Sequence, residues 1–132
     1  MKEFIYNEKV LARLIEPEDW KDGLTFYSND PEFVQVGSFS YDKGKYIQDH
    51  IHNEFPRTAL RTCEAMYMVS GRMKVNLFAS DKHFIESFEA KQGDTVILLE
   101  GGHGFEILED DTKVLEVKNG PFLGVETDKE KF

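Results

Sequence analysis

The chain has 132 residues, enough for one domain that buries a core without disulfide or metal staples. Its 40% hydrophobic and 13% aromatic residues belong to a packed globule, while 31% charged residues, a mean hydropathy of -0.48 and the lack of any long apolar run exclude a membrane-spanning helix. With 16 basic against 25 acidic residues the net charge is -9, which argues against nucleic acid or an anionic membrane as partner and leaves a small molecule as the expected ligand.

Taken in order, the amino end shows no apolar leader, and the single Cys63 has no partner for an internal disulfide. Both features lead to the expectation of a cytoplasmic protein. Residues 1–32 read as an N-terminal strand and its connection. The strand falls at residues 9–16, lying along a partner subunit, and one helical turn falls at Pro17–Trp20, where Pro and acids favour a helix start. The stretch Gly23 to Pro31 reads as loop, with Ser28-Asn29-Asp30-Pro31 as turn chemistry. Residues 33–122 form the expected barrel core, and 123–132 a polar tail.

Phe33 to Tyr41 alternates as a strand, and Asp42-Lys43-Gly44-Lys45 turns the chain into a second one centred on His50-Ile51-His52. In a strand the side-chain period of two puts both imidazoles on one face, close enough to share a metal ion. Further strands are expected at Ala65–Val69, Met73–Ala79, His83–Phe88, Asp94–Leu99, Phe105–Leu108 and Lys113–Val117, separated by turn signals such as Ser70-Gly71 and Asn119-Gly120-Pro121. Many short strands at regular spacing with no long amphipathic helix define an all-β antiparallel barrel or sandwich.

Glu64 shares its strand face with Met66 and Met68, an apolar side on which a carboxylate is costly unless paired or metal-bound. His103 lies between glycines that leave room for close approach. Three imidazoles and one carboxylate make a mixed N/O set suited to zinc, iron, manganese, nickel or copper rather than magnesium or calcium. His83 sits outside this pattern and reads as a surface residue. Arg57 and Arg61 lie in the interval between His52 and Glu64, positioned to grip a carboxylate or phosphate, with Arg57 preferred because it follows Pro56. Tyr46, Glu116 and Lys118 are the other polar residues near these segments, able to act as acid, base or orienter, while strand parity turns Glu106 away from His103.

The order Gly44, His50-x-His52, Glu64, Gly71 resembles the first signature motif of the cupins, and Gly93-Asp94-Thr95-Val96-Ile97-Leu98-Leu99-Glu100-Gly101-Gly102-His103 resembles the second. The chain departs from that pattern in the eleven residues between His52 and Glu64, in Leu99 at a usual Pro, in the early His103 and in Ile107 at a frequent Asn. A closer likeness is to small cupins found with genes for surface-polysaccharide and nucleotide-sugar synthesis, carried by Gly101 to Glu106 and by Glu116 to Phe122. The resemblance implies a single-domain jelly-roll barrel holding one divalent metal on His50, His52, Glu64 and His103. It also implies a homodimer, with the apolar run Val10 to Ile15 covered by a second chain. The expected chemistry is isomerisation or epimerisation of a sugar or sugar derivative, with Tyr46 or Lys118 moving the proton and Arg57, Arg61 and Glu116 binding substrate. Oxidation by dioxygen at iron and ligand binding without turnover are the alternatives.

Overall fold

Two residues set the first hairpin. In the computed structural model, which describes Met1–Phe132, β1 (Lys2–Tyr6) turns into β2 (Lys9–Ile15) through Asn7 and Glu8, at φ 48° and 64°. This left-handed pair is what a two-residue type I′ hairpin needs. The hairpin folds the amino end back on its own body. Phe4 pairs with Ala12 and stacks on Phe88 at 4.0 Å, and Leu11, Leu14 and Ile15 are buried in the same chain. The expectation that Val10 to Ile15 is covered by a partner is thereby corrected: β1 on one side and the chain's own β8 on the other occupy both edges of β2.

One 3-10 turn at Pro17–Asp19 follows, where a helical turn was expected. Gly23 to Pro31 is not all loop, because β3 (Gly23–Phe26) pairs with β4 (Gly37–Ser40) in a separate two-stranded sheet. The later strands, β5 (Glu64–Ser70), β6 (Arg72–Phe78), β7 (Phe84–Lys91), β8 (Thr95–Leu98), β9 (Gly102–Ile107) and β10 (Lys113–Lys118), fall close to their expected places. A short helix, α1 (Val125–Asp128), leads to Phe132, whose ring meets Phe78 edge-on at 5.1 Å and ties the tail to the body.

The protein is all-β and every strand pairing is antiparallel. One sheet runs β1-β2-β8-β5-β10 and a second runs β7-β6-β9. The apolar core lies between them, with Met66, Met68 and Val96 from the first sheet in one cluster with Met73, Val75 and Leu77 from the second. No closed barrel forms, because β10 and β9 each have a neighbour on one side only.

On the outer face of the first sheet, Arg13 is 1% exposed, its Nε donating to Glu3 Oε1 at 2.7 Å and its Nη1 to Glu32 Oε2 at 2.6 Å. A buried guanidinium holds its place only with such partners. Here it pins β1 and the 27–36 connection to β2 at once. Arg13→Ala should lower unfolding stability by about 3 kcal/mol, read from denaturant midpoints; a loss within about 0.5 kcal/mol, the surface-substitution range, would contradict this role.

Candidate functional site

A single row of paired residues crosses the five-stranded sheet on its core side. Phe4 pairs with Ala12, Ala12 with Leu98, Leu98 with Glu64, and Glu64 with Lys118. The row passes from fully apolar to charged as it nears the open β10 edge. Glu64 is 5% exposed, a position where an ionised carboxylate is costly without partners. Its partners come from both sheets. His103 Nε2 on β9 stands 3.1 Å from Glu64 Oε2, and Lys118 Nζ on β10 stands 3.8 Å from Glu64 Oε1.

His103 reaches this point because β9 starts early. Gly101, at φ 72°, has no room for a Cβ against the Phe78 carbonyl. Its left-handed turn delivers Gly102-His103-Gly104 into register with β6, so that His103 pairs with Leu77 and faces the core side. The strand was expected only from Phe105 onward. Glycines weaken a strand reading from sequence, and the pairing with β6 overrides that signal. Glu106 points the other way, toward Lys74 Nζ at 3.9 Å, as parity requires. His83 lies on the surface beside Asp81 and Tyr6, as expected.

The hydrogen bond from His103 holds the Glu64 carboxyl below its ordinary value of 4.5, against the opposing effect of burial. Glu116, 3.0 Å from Lys118 Nζ, and then Glu64 raise the Lys118 ammonium, which keeps it a cation. Lys118 is thus suited to offsetting negative charge on a bound oxygen rather than to accepting a proton. Glu64, His103 and Phe105 line an open pocket of about 850 Å³ from the strands and Arg61 from the connection before β5, whereas Lys118 and Glu116 lie outside its wall. The tail adds Lys129 and Phe132 to the same wall. Those two residues were not singled out from the sequence; the only signal was an aromatic at the end of a polar stretch.

The remaining expected residues lie elsewhere. Residues 45–59 form neither helix nor strand, so the expected His strand is absent in the single chain. A strand needs an edge to pair with, and none is brought to this segment. His50 and His52 are exposed, with ring centroids 5.1 Å apart. They do not join Glu64 and His103, and no group of three or more His, Cys, Asp or Glu side chains able to hold a metal forms within the chain. Tyr46 donates to Asp49 Oδ2 at 2.8 Å, and the Arg57 guanidinium lies 3.8 Å over the Phe55 ring; neither lines the pocket. Of the two arginines it is Arg61 that reaches the wall, in an ion pair with Glu100. Cys63 is buried, its thiol pushed up by desolvation, which makes it packing rather than a nucleophile.

Fold and site together define an all-β antiparallel protein with a carboxylate–imidazole pair joining two sheets at the mouth of a pocket. Comparison of the chain with protein-family models, with curated sequences and with solved structures finds no match.

The depressed Glu64 carboxyl has a consequence for acid stability. Its stabilising effect is complete above the ordinary glutamate value and is lost as pH falls through the lower folded one. Glu64→Gln should therefore flatten the fall in thermal midpoint below about pH 4.5 relative to wild type. Parallel melting curves for the two proteins from neutral to strongly acid pH would refute the assignment.

Proposed function

We propose that this chain is a small metal-binding protein of the cupin kind that acts on a sugar or sugar derivative by proton transfer beside a carbonyl, the chemistry of a sugar isomerase or epimerase. The observation that carries the reading is the Glu64–His103 pair at 3.1 Å, joined across two sheets beside a pocket of about 850 Å³. That volume suits a nucleotide sugar or a similar small molecule. The pair is also half of a mixed N/O ligand set, and the chemistry of its donors fits zinc, iron, manganese or nickel. His50 and His52 supply the other two imidazoles of that set.

The chain's own groups have separable roles. Glu64 and His103 would hold the divalent ion beside the pocket, which leaves the proton transfer at the substrate to Tyr46. Lys118, kept protonated by Glu116, offsets charge that develops on a substrate oxygen. Arg61 at the pocket wall meets a phosphate or carboxylate of the substrate once it exchanges Glu100 for that group. Glu116 then acts through Lys118, and Tyr46 and Arg57 act only if their segment moves over the pocket. A divalent ion bound by these imidazoles and the carboxylate would polarise the substrate carbonyl.

A small-molecule ligand fits the charge of -9, and no helix is long and apolar enough to cross a membrane. The lone buried Cys63 fits a reducing compartment such as the cytoplasm, and a homodimer fits the uncovered sheet edges.

Metal analysis of untagged protein should find close to one divalent transition metal per chain, and His103→Ala should remove it while the β-type circular dichroism persists. Metal-free wild type would refute the metal reading. A thermal-shift screen with nucleotide sugars, sugar phosphates and keto acids then identifies the ligand. For that ligand, Arg61→Ala should weaken binding roughly ten- to a hundredfold and Arg57→Ala much less. Equal affinities in the wild type and both variants would rule out an anion contact from this segment.

A further inference from the structure

Beyond Asn119 the chain makes no backbone hydrogen bond to the body, and the ones it forms only close α1 on itself, from Thr127, Asp128 and Lys129. The segment swings from Gly124, which stands at φ 99° with open space where a Cβ would be. Side chains alone hold this strap against the pocket. Asp128 accepts from Thr62 Oγ1, Glu130 meets Lys82 Nζ at 2.6 Å, and the Phe132 ring rests edge-on against Phe78. Gly102 completes the seat of that ring, since a Cβ there would come within 3.1 Å of it.

The strap brings cations to the pocket. Lys129 is extended, at φ -148° and ψ 147°. Glu130 and Phe132 both turn toward Lys82, whose Nζ lies 5.8 Å from the Phe132 ring centre, and the period of two along an extended chain turns Lys129 and Lys131 to the other side. The Glu64 carboxyl, held low first by the hydrogen bond from His103, is drawn down further by the charges of Lys118 and Lys129. The Lys129 ammonium therefore acts on the site itself. Both strap lysines line the pocket and neither is ion-paired, whereas Arg61 on the same wall is taken up by Glu100. The carboxylates around them are engaged too, Glu64 by His103, Asp128 by Thr62 and Glu130 by Lys82. Two unmatched ammonium groups thus border an open pocket in a chain of net charge -9, which concentrates an anion there.

We infer that Lys129 and Lys131 form a diphosphate subsite of this pocket, and that a diphosphate group bound against them fastens the strap in place. Residues two apart in an extended chain stand roughly 7 Å from each other, a spacing that serves two linked phosphoryl groups better than a single one. Each lysine meets its phosphoryl group as a point charge on a flexible stem, so the position of the strap sets the geometry of the subsite. Phe132 in its seat supplies that position. The inference rests on the proposed function only for the ligand's being a nucleotide sugar; neither the metal nor the proton transfer enters it.

Calorimetric titration with inorganic pyrophosphate tests it, on the protein as isolated and again after a chelator has removed divalent metal. The wild type should bind pyrophosphate in both states, at least tenfold more tightly than orthophosphate. Lys129→Ala/Lys131→Ala should weaken the binding roughly ten- to a hundredfold by loss of charge-assisted contacts, and Lys129→Arg/Lys131→Arg should keep most of it. Phe132→Ala should weaken it by a smaller factor, because the lysines lose the ring that seats their segment. Lys21→Ala/Lys113→Ala, which removes as much charge outside the pocket, should leave it unchanged. A wild type that binds no pyrophosphate overturns the inference, as does equal affinity in the Lys129→Ala/Lys131→Ala variant. An equal loss in the Lys21→Ala/Lys113→Ala control, or binding that disappears with the metal, overturns it as well. Unchanged affinity in Phe132→Ala overturns the part given to the strap. Pyrophosphate binding that depends on the two lysines and survives chelation, in a protein that converts no nucleotide sugar, would uphold the subsite while the isomerase reading falls.

Discussion

The contact between Glu64 and His103 is the constraint around which the rest of the molecule is arranged. It is made by one residue from each of the two sheets, at the end of an otherwise apolar interior. A carboxylate at 5% exposure persists only where its charge is met. The β9 strand must therefore bring an imidazole, and β10 an ammonium, to the same row of the first sheet. Gly101, the early start of β9 and the register of Lys118 opposite Glu64 all serve that requirement. The pocket is there because the apolar packing stops where this charged row begins.

The second constraint is the backbone itself. Strand edges and extended segments carry N–H and C=O groups that must find partners or water. The two sheets end in four open edges, β1 and β10 in the first and β7 and β9 in the second, and the segment following β4 makes no backbone pairing from Tyr46 to Leu60. The open edge of β9 leaves inward positions such as Ile107 exposed to solvent in a protein whose interior is elsewhere closed.

Composition and spacing alone determined much of the architecture. Alternation and turn chemistry located β5 to β8 and β10 within a few residues, because each of these strands has one apolar face and a Gly, Ser, Asp or Asn boundary. Glu64 among methionines and the Gly-Gly-His segment were legible as a site for the same reason: a charge on an apolar stripe and a glycine pair beside a histidine each break a local rule, and local rules are visible in sequence.

Pairing was decided only by tertiary structure. β1 and β3 were missed because each acquires its identity from a neighbour, Asn7-Glu8 folding β1 onto β2 and the 27–36 connection setting β3 against β4. The residues after Gly44 have a strand-like pattern and no strand, because period-two spacing describes which face a side chain would occupy and not whether an edge is present to pair with. The same distinction separates Arg61 from Arg57. Both stand in one polar interval of the sequence, yet only Arg61 lies close enough to Cys63, which is fixed by Asn119, to be held at the pocket wall. Local chemistry is written residue by residue along the chain, whereas the meeting of distant residues depends on which edges find each other.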